Sequence, residues 1–199
     1  MTKEDFRCLC LSRLRTAASR SRFGKDKRLT ARLGRRLAKV RGRRILLYWP
    51  LATEPDIRPL LHVLRRRGAE VCLPFMEGAS FRVVPFRYPL KRKRFGIFEP
   101  GNSLKAIKTI DIAVVPAVGV DAQARRIGFG KGMYDRFFAA LKKKPLTIFV
   151  QLERCVTNEK ICDHYDVSAD VLLTPSSCEV ATRMSNDQRT DLRRCNRRH

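Results

Sequence analysis

The sequence predicts an α/β fold: a single-domain, Rossmann-like layered sheet with mostly parallel strands and flanking helices. Three observations lead there. Short, apolar, β-branched runs at residues 44–49, 70–75, 110–116 and 145–150 alternate with segments whose apolar residues recur at helical spacing. The strand–helix–strand lengths suit parallel neighbours joined by crossovers. A glycine-rich loop sits between one of these runs and a helix-like segment, the usual place for a ligand in such sheets. At 199 residues the chain fits one domain with a sizeable core.

Residues 3–22 pattern as an amphipathic helix, with Phe6, Leu9, Cys10, Leu14, Ala17 and Ala18 on one face. A second helical pattern runs from about Lys25 to Val40 through Leu29, Leu33 and Leu37, and Gly42 marks its end. Residues 1–44 hold sixteen Lys/Arg against Glu4, Asp5 and Asp26, a local balance of +13 that reads first as a solvated basic face. Arg44-Ile45-Leu46-Leu47-Tyr48-Trp49 reads as the first strand, stopped at Pro50. A helix over Asp56–Arg67 follows, with Asp56 in a capping position and Gly68 at its end. Glu70 to Phe75 reads as the next strand. Residues 76–109 are less legible, with Phe81-Arg82-Val83-Val84 as a strand candidate and Lys91-Arg92-Lys93-Arg94 as a charge run. Ile110–Pro116 reads as a buried strand, Tyr134–Leu141 as a helix and Pro145–Val150 as a further strand. Residues 176–199 carry six arginines and three acids without periodicity, so the domain is read as 1–175 and the rest as a basic, disordered tail.

Arg125-Arg126-Ile127-Gly128-Phe129-Gly130-Lys131-Gly132-Met133-Tyr134-Asp135-Arg136 joins a strand to a helix. Its glycines let the backbone approach an anion closely, and the following helix start offers unpaired N–H groups. Lys131, Arg125, Arg126 and Arg136 can place full charges around the same point. The spacing matches neither G-x-x-x-x-G-K-[ST] nor G-x-G-x-x-G, so a phosphate site and a plain tight connection both remain open on spacing alone.

Composition narrows the classes. No run approaches the ~20 apolar residues that span a bilayer, and charge at the N-terminus argues against a secretory signal. The expected location is the cytoplasm. Seven scattered cysteines lack C-x-x-C spacing and read as reduced thiols. The net charge of +24 suits polyanionic ligands, nucleic acid among them, although no nucleic-acid motif accompanies it.

Gly119-Val120-Asp121 followed by Arg126-Ile127-Gly128-Phe129-Gly130-Lys131-Gly132-Met133-Tyr134-Asp135 resembles the signature of 5-formyltetrahydrofolate cyclo-ligases (5,10-methenyltetrahydrofolate synthetases), which typically read R-L-G-x-G-x-G-Y-Y-D. The resemblance extends over roughly residues 3–175. It implies an enzyme that converts 5-formyltetrahydrofolate to the 5,10-methenyl form with ATP and Mg²⁺. ATP would contact Arg15 and the loop from Arg126 to Tyr134: Ile127, Gly128, Phe129, Gly130, Lys131, Gly132 and Met133 between them. Lys131 and Arg126 would serve catalysis, and Asp135 and Asp166 would hold the metal. Trp49, Glu54, Phe95 and Tyr134 would place the folate, and the Lys91–Arg94 run would suit a polyglutamate tail. The family's first helix bears K-x-x-L-R. In the register Leu11-Ser12-Arg13-Leu14-Arg15 the arginine matches, but Leu11 replaces the lysine. That departure keeps a non-catalytic nucleotide- or folate-binding relative open, beside a basic nucleic-acid-binding protein.

Overall fold

In a computed structural model the chain is described at residues 1–92, 98–100 and 107–180. A seven-stranded sheet forms its centre, in the order β11-β10-β9-β6-β1-β2-β3. Five strands run parallel: β2 (Glu70–Glu77), β1 (Arg44–Leu46), β6 (Ile112–Pro116), β9 (Leu146–Val150) and β10 (Val171–Leu173). Antiparallel strands β3 (Ser80–Pro85) and β11 (Cys178–Val180) close the two edges. The mostly parallel α/β fold expected from the sequence is therefore present.

Strand alternation sorts the side chains into two layers. Ile45, Leu47, Val114, Ile148, Val150, Val171 and Leu173 face the layer formed with α2 (Arg22–Arg36) and α3 (Arg58–Arg66). Leu46, Ala113, Val115, Phe149 and Leu172 face the opposite layer, where Phe137 and Phe138 of α4 (Met133–Ala139) pack. Two small ribbons complete the fold, β4 (Leu90–Arg92) with β5 (Phe98–Pro100) and β7 (Gly119–Val120) with β8 (Arg126–Ile127).

The first helix, α1 (Lys3–Ser19), begins at a capping box. The Thr2 hydroxyl accepts from Asp5 N at 3.1 Å, and the Asp5 carboxylate accepts from Thr2 N at 3.1 Å. Phe6, Cys10, Leu14 and Ala17 bury its inner face against Val118, Ile127, Leu152 and Cys155.

Four sequence expectations are corrected. The helix expected over Lys25–Val40 stops at Arg36, yet Leu37 and Val40 remain buried and lead the chain under the sheet. Ile57, not Asp56, is the α3 cap residue, although Asp56 Oδ1 accepts from Arg58 N at 3.0 Å. Cys10 and Cys155 are not free thiols: docking α1 on the loop after β9 brings their Cα atoms to 5.8 Å and they form a disulfide. The sheet also continues past residue 175, because β11 pairs with β10 and covers an edge that the apolar β10 would otherwise expose.

Candidate active site

The parallel strands deliver their loops to one edge of the sheet, and two adjoining cavities lie there. The first, of about 430 Å³, is basic and walled by backbone. Gly128, Gly130 and Gly132 line it together with Lys3, Arg7, Arg126 and Arg136, and Asp135, Tyr165 and Asp166 complete the wall. The second, of about 300 Å³, is aromatic and apolar. Trp49, Phe81, Phe98, Met133 and Tyr134 line it, with Glu54 as its buried carboxyl group. Arg126 and Gly132 belong to both.

Arg126 is buried at this junction. Its Nε donates to Pro116 O at 2.9 Å, which fixes the side chain to the end of β6. Its guanidinium lies 4.7 Å from the centre of the Tyr134 ring, within cation–π range. A Cβ on Gly128 would come within 2.3 Å of Arg126 Nη1, so only glycine admits the guanidinium here. Gly130 and Gly132 have φ of +88° and +61°, which turn the loop into α4. Arg136 anchors that turn by donating from Nη2 to Lys131 O and from Nε to Ala79 O at 2.8 Å.

Lys3 and Arg7 sit one helical turn apart and face the glycine loop. Arg7 Nε donates to Gly128 O at 2.9 Å, and its Nη1 pairs with Glu4. Lys3 Nζ lies 2.5 Å from Asp166 Oδ2 and 3.2 Å from Asp163 Oδ2. Partial burial pulls the Lys3 ammonium down, but the bonds and charges of these aspartates outweigh it and hold its pKa above the ordinary value. Asp135 Oδ1 accepts from Val167 N at 3.2 Å, and Asp166 Oδ2 accepts from Asp163 N at 2.7 Å.

In the aromatic cavity, Trp49 lies 5.5 Å from Phe98 and Tyr134 meets Phe81 edge-on at 5.0 Å, centre to centre. Glu54 Oε2 accepts from Leu51 N at 2.8 Å. Burial pushes the Glu54 carboxyl up to about 7, against the opposing pull of that bond and of the Arg126 charge. Burial likewise raises the Tyr134 phenol.

The structure gathers Trp49, Glu54, Phe129, Lys131, Met133 and Tyr134 around the aromatic cavity, and Gly128, Gly130, Asp135 and Asp166 around the basic one. Lys131 stands exposed on the aromatic side rather than deep among the basic groups. The Ile127 side chain is fully buried beneath α1 and lines neither cavity, because the β8 pleat turns it inward. Arg15 is exposed and lines neither cavity, while Leu11 packs in the α1 core. Phe95 lies outside the described residues.

The K-x-x-L-R register is corrected accordingly. Lys3-Glu4-Asp5-Phe6-Arg7, with phenylalanine in the leucine position, brings a lysine and an arginine to the loop. Leu11 is then a half-buried residue packed against the α1 core. The missed signal was in the sequence: Thr2 and Asp5 form a helix-start pattern that places Phe6 inward.

A parallel sheet carrying a basic, glycine-walled cavity beside an aromatic one defines an α/β protein built for a phosphate-bearing ligand and a flat second ligand. Residues 1–175 match the profile of the 5-formyltetrahydrofolate cyclo-ligase family, and the chain belongs to it. It is 30% identical over 155 residues to the 5-formyltetrahydrofolate cyclo-ligase of Mycolicibacterium smegmatis, covering 73% of this chain and 80% of that one. Identity to the Haemophilus influenzae enzyme of that name is 28% over 132 residues, 62% of this chain and 71% of that one. The fold superposes on Aquifex aeolicus 5,10-methenyltetrahydrofolate synthetase with a TM-score of 0.73, 26% identity and 96% of each chain covered. The Mycoplasma pneumoniae synthetase shares the fold at a TM-score of 0.70 and 19% identity, over 88% of this chain and 99% of that one.

Proposed function

We propose that the protein converts 5-formyltetrahydrofolate and ATP to 5,10-methenyltetrahydrofolate, ADP and phosphate. The observation that carries this reading is the junction of the two cavities at Arg126 and Gly132, which lets a phosphoryl donor meet a flat acceptor.

The formyl oxygen on N5 attacks the γ-phosphorus of ATP, forming an O–P bond as ADP leaves. The resulting iminium phosphate is electrophilic at carbon. N10 attacks that carbon and closes the ring, phosphate departs with the former formyl oxygen, and N10 releases its proton. No protein nucleophile is required, so the work is positioning and charge stabilisation. Lys3, Arg7 and the loop amides hold nucleotide phosphates, while Arg126 and Lys131 face the transferred phosphoryl group from its two sides. Trp49 and Tyr134 flank the pterin, and Glu54 as carboxylate accepts its N–H groups.

Asp135 and Asp166 are hard oxygen donors on one wall of the basic cavity, a donor set that fits Mg²⁺ shared with phosphates and water. When bound, the ion neutralises charge on the nucleotide. At the aromatic cavity's rim, Arg92 is paired across the ribbon with the wall residue Phe98, and Lys91 adjoins it. These exposed cations suit the carboxylates of a polyglutamylated folate. A cytoplasmic location belongs to the same reading; no described helix is long and apolar enough to cross a membrane.

Oxygen transfer tests the chemistry. With ¹⁸O in the formyl group, the released phosphate is expected to carry one labelled oxygen. Unlabelled phosphate at full turnover would remove the phosphorylated intermediate.

A further inference from the structure

The parallel sheet has a second edge, remote from both cavities, where the strands begin. Three acidic side chains mark the strand starts there, and each already has a partner. Glu70 pairs with Arg44 at 2.9 Å, Asp111 accepts from Arg44 N at 2.8 Å and lies 3.6 Å from Arg43, and Asp170 accepts from Thr147 N at 2.8 Å. The exposed cations that surround them are different. Lys142, Lys143 and Lys144 form the loop before β9, and Lys108 stands before β6. Arg65 and Arg66 end α3 just before β2, and Arg41 packs its aliphatic stem within 3.0 Å of the position a Cβ would take on Gly68. None of these seven takes part in an ion pair seen among the described residues.

The opposite edge carries both signs, its acids interleaved with Lys3, Arg7, Arg126, Lys131 and Arg136. Glu4, Glu54, Asp135, Glu153, Glu159 and Asp166 cluster around the cavity-bearing loops and α1, where several answer Lys3, Arg7 and Lys25. The strand-start cations have no such ion-pair partners among the described residues, and the reaction has no use for them there.

We propose that this strand-start edge binds the phosphate backbone of a nucleic acid, a function separate from the folate reaction. Its chemistry favours phosphate over a protein partner. Protein interfaces are poor in lysine and rely on buried aromatic anchors, whereas this edge is rich in lysine and, among the described residues, exposes Leu146 at the start of β9 and Val180 beside the start of β10 as scattered apolar side chains. Backbone phosphates need only cations spaced over a surface, and binding is then independent of sequence and steep in salt. Tyr88, exposed and packed on the Phe86 that Arg65 overlies, offers a ring beside these cations, but the edge is dominated by charge and reads phosphates more than sequence.

The test uses the full-length protein and a fluorescent 20-nucleotide single-stranded RNA of random sequence. Anisotropy is measured from 50 to 300 mM salt. Lys142→Glu/Lys143→Glu/Lys144→Glu is compared with Arg13→Glu/Arg20→Glu/Lys160→Glu, which removes the same charge from α1 and the loop after β9. The strand-start variant is expected to keep wild-type folate turnover, bind RNA about tenfold or more weakly at low salt, and show a salt slope lower by about 2. The other variant is expected to stay near wild type. Equal losses in both variants would overturn the proposal, as would salt-independent binding. Displacement of RNA by a poly-glutamate peptide at matched charge would also overturn it, by showing an acidic-protein surface. If the triple variant fails to fold, Arg65→Gln/Arg66→Gln/Lys108→Gln carries the same expectations.

Discussion

The Arg126 guanidinium occupies the space that a side chain on Gly128 would need: a Cβ there would lie 2.3 Å from Nη1 and 2.9 Å from Cζ. The glycine is thus part of how the arginine reaches the junction of the cavities. Gly128→Ala is expected to displace Arg126 and lower kcat/KM by about a hundredfold, since misplacement by an ångström costs on that order. Thermal unfolding should show the fold retained. Wild-type turnover in the alanine variant would show that Arg126 needs no such space.

The corrected register of α1 makes a paired prediction. Arg7→Ala removes a charge held against Gly128 O, and is expected to raise KM for ATP about ten- to a hundredfold, the range for hydrogen bonds to charged groups. Arg15→Ala should leave KM for ATP within about twofold, because Arg15 is exposed and lines neither cavity. The opposite ranking in steady-state kinetics would restore the Leu11–Arg15 register.

Glu54 predicts a pH signature. Its folded value of about 7 lies above the ordinary 4.5, so the folded state holds more protons than the unfolded chain between those limits. Stability therefore falls as pH rises through that window and levels off above 7. Glu54→Gln cannot ionise, and above pH 7 it should be the more stable protein by up to about 3 kcal/mol. Thermal denaturation at pH 5 and pH 8 measures this; a Glu54→Gln variant less stable than wild type at pH 8 would contradict it. Catalysis moves the other way. KM for the folate is expected to rise as pH falls below 7 and the carboxylate is protonated.

Four of the five parallel strands, β1, β2, β6 and β9, were legible because their apolar runs are short, β-branched and separated by helical spacing, whereas the three-residue β10 was not. The loop at 125–136 was legible because its glycines and cations are consecutive. The register of α1 was not. Leu14-Arg15 and Phe6-Arg7 look alike unless the Thr2–Asp5 capping pattern is weighed, and the docking of Phe6 and Cys10 on Gly119 fixes which arginine faces the loop. The Cys10–Cys155 bond was equally hidden, since contacts 145 residues apart leave no local pattern. Lys131 was placed by motif alone, and the turn at Gly132 sends it to the aromatic side.

That position of Lys131 makes it a charge for the transferred phosphoryl group rather than for ground-state ATP. Lys131→Ala is expected to lower kcat/KM by about ten- to a thousandfold, the usual effect of losing a transition-state contact. ATP affinity, measured by equilibrium titration without folate, should change little. A large loss of ATP binding with normal kcat would move Lys131 back among the ground-state phosphate ligands.

The most direct measurement mixes the purified protein with 5-formyltetrahydrofolate and MgATP and follows the near-ultraviolet absorbance of the methenyl product. Absorbance that grows only with both ATP and Mg²⁺ present, and stops on chelation, is the predicted result. No product from a folded protein that still binds ATP and the folate would contradict catalysis and leave a binding relative of the family.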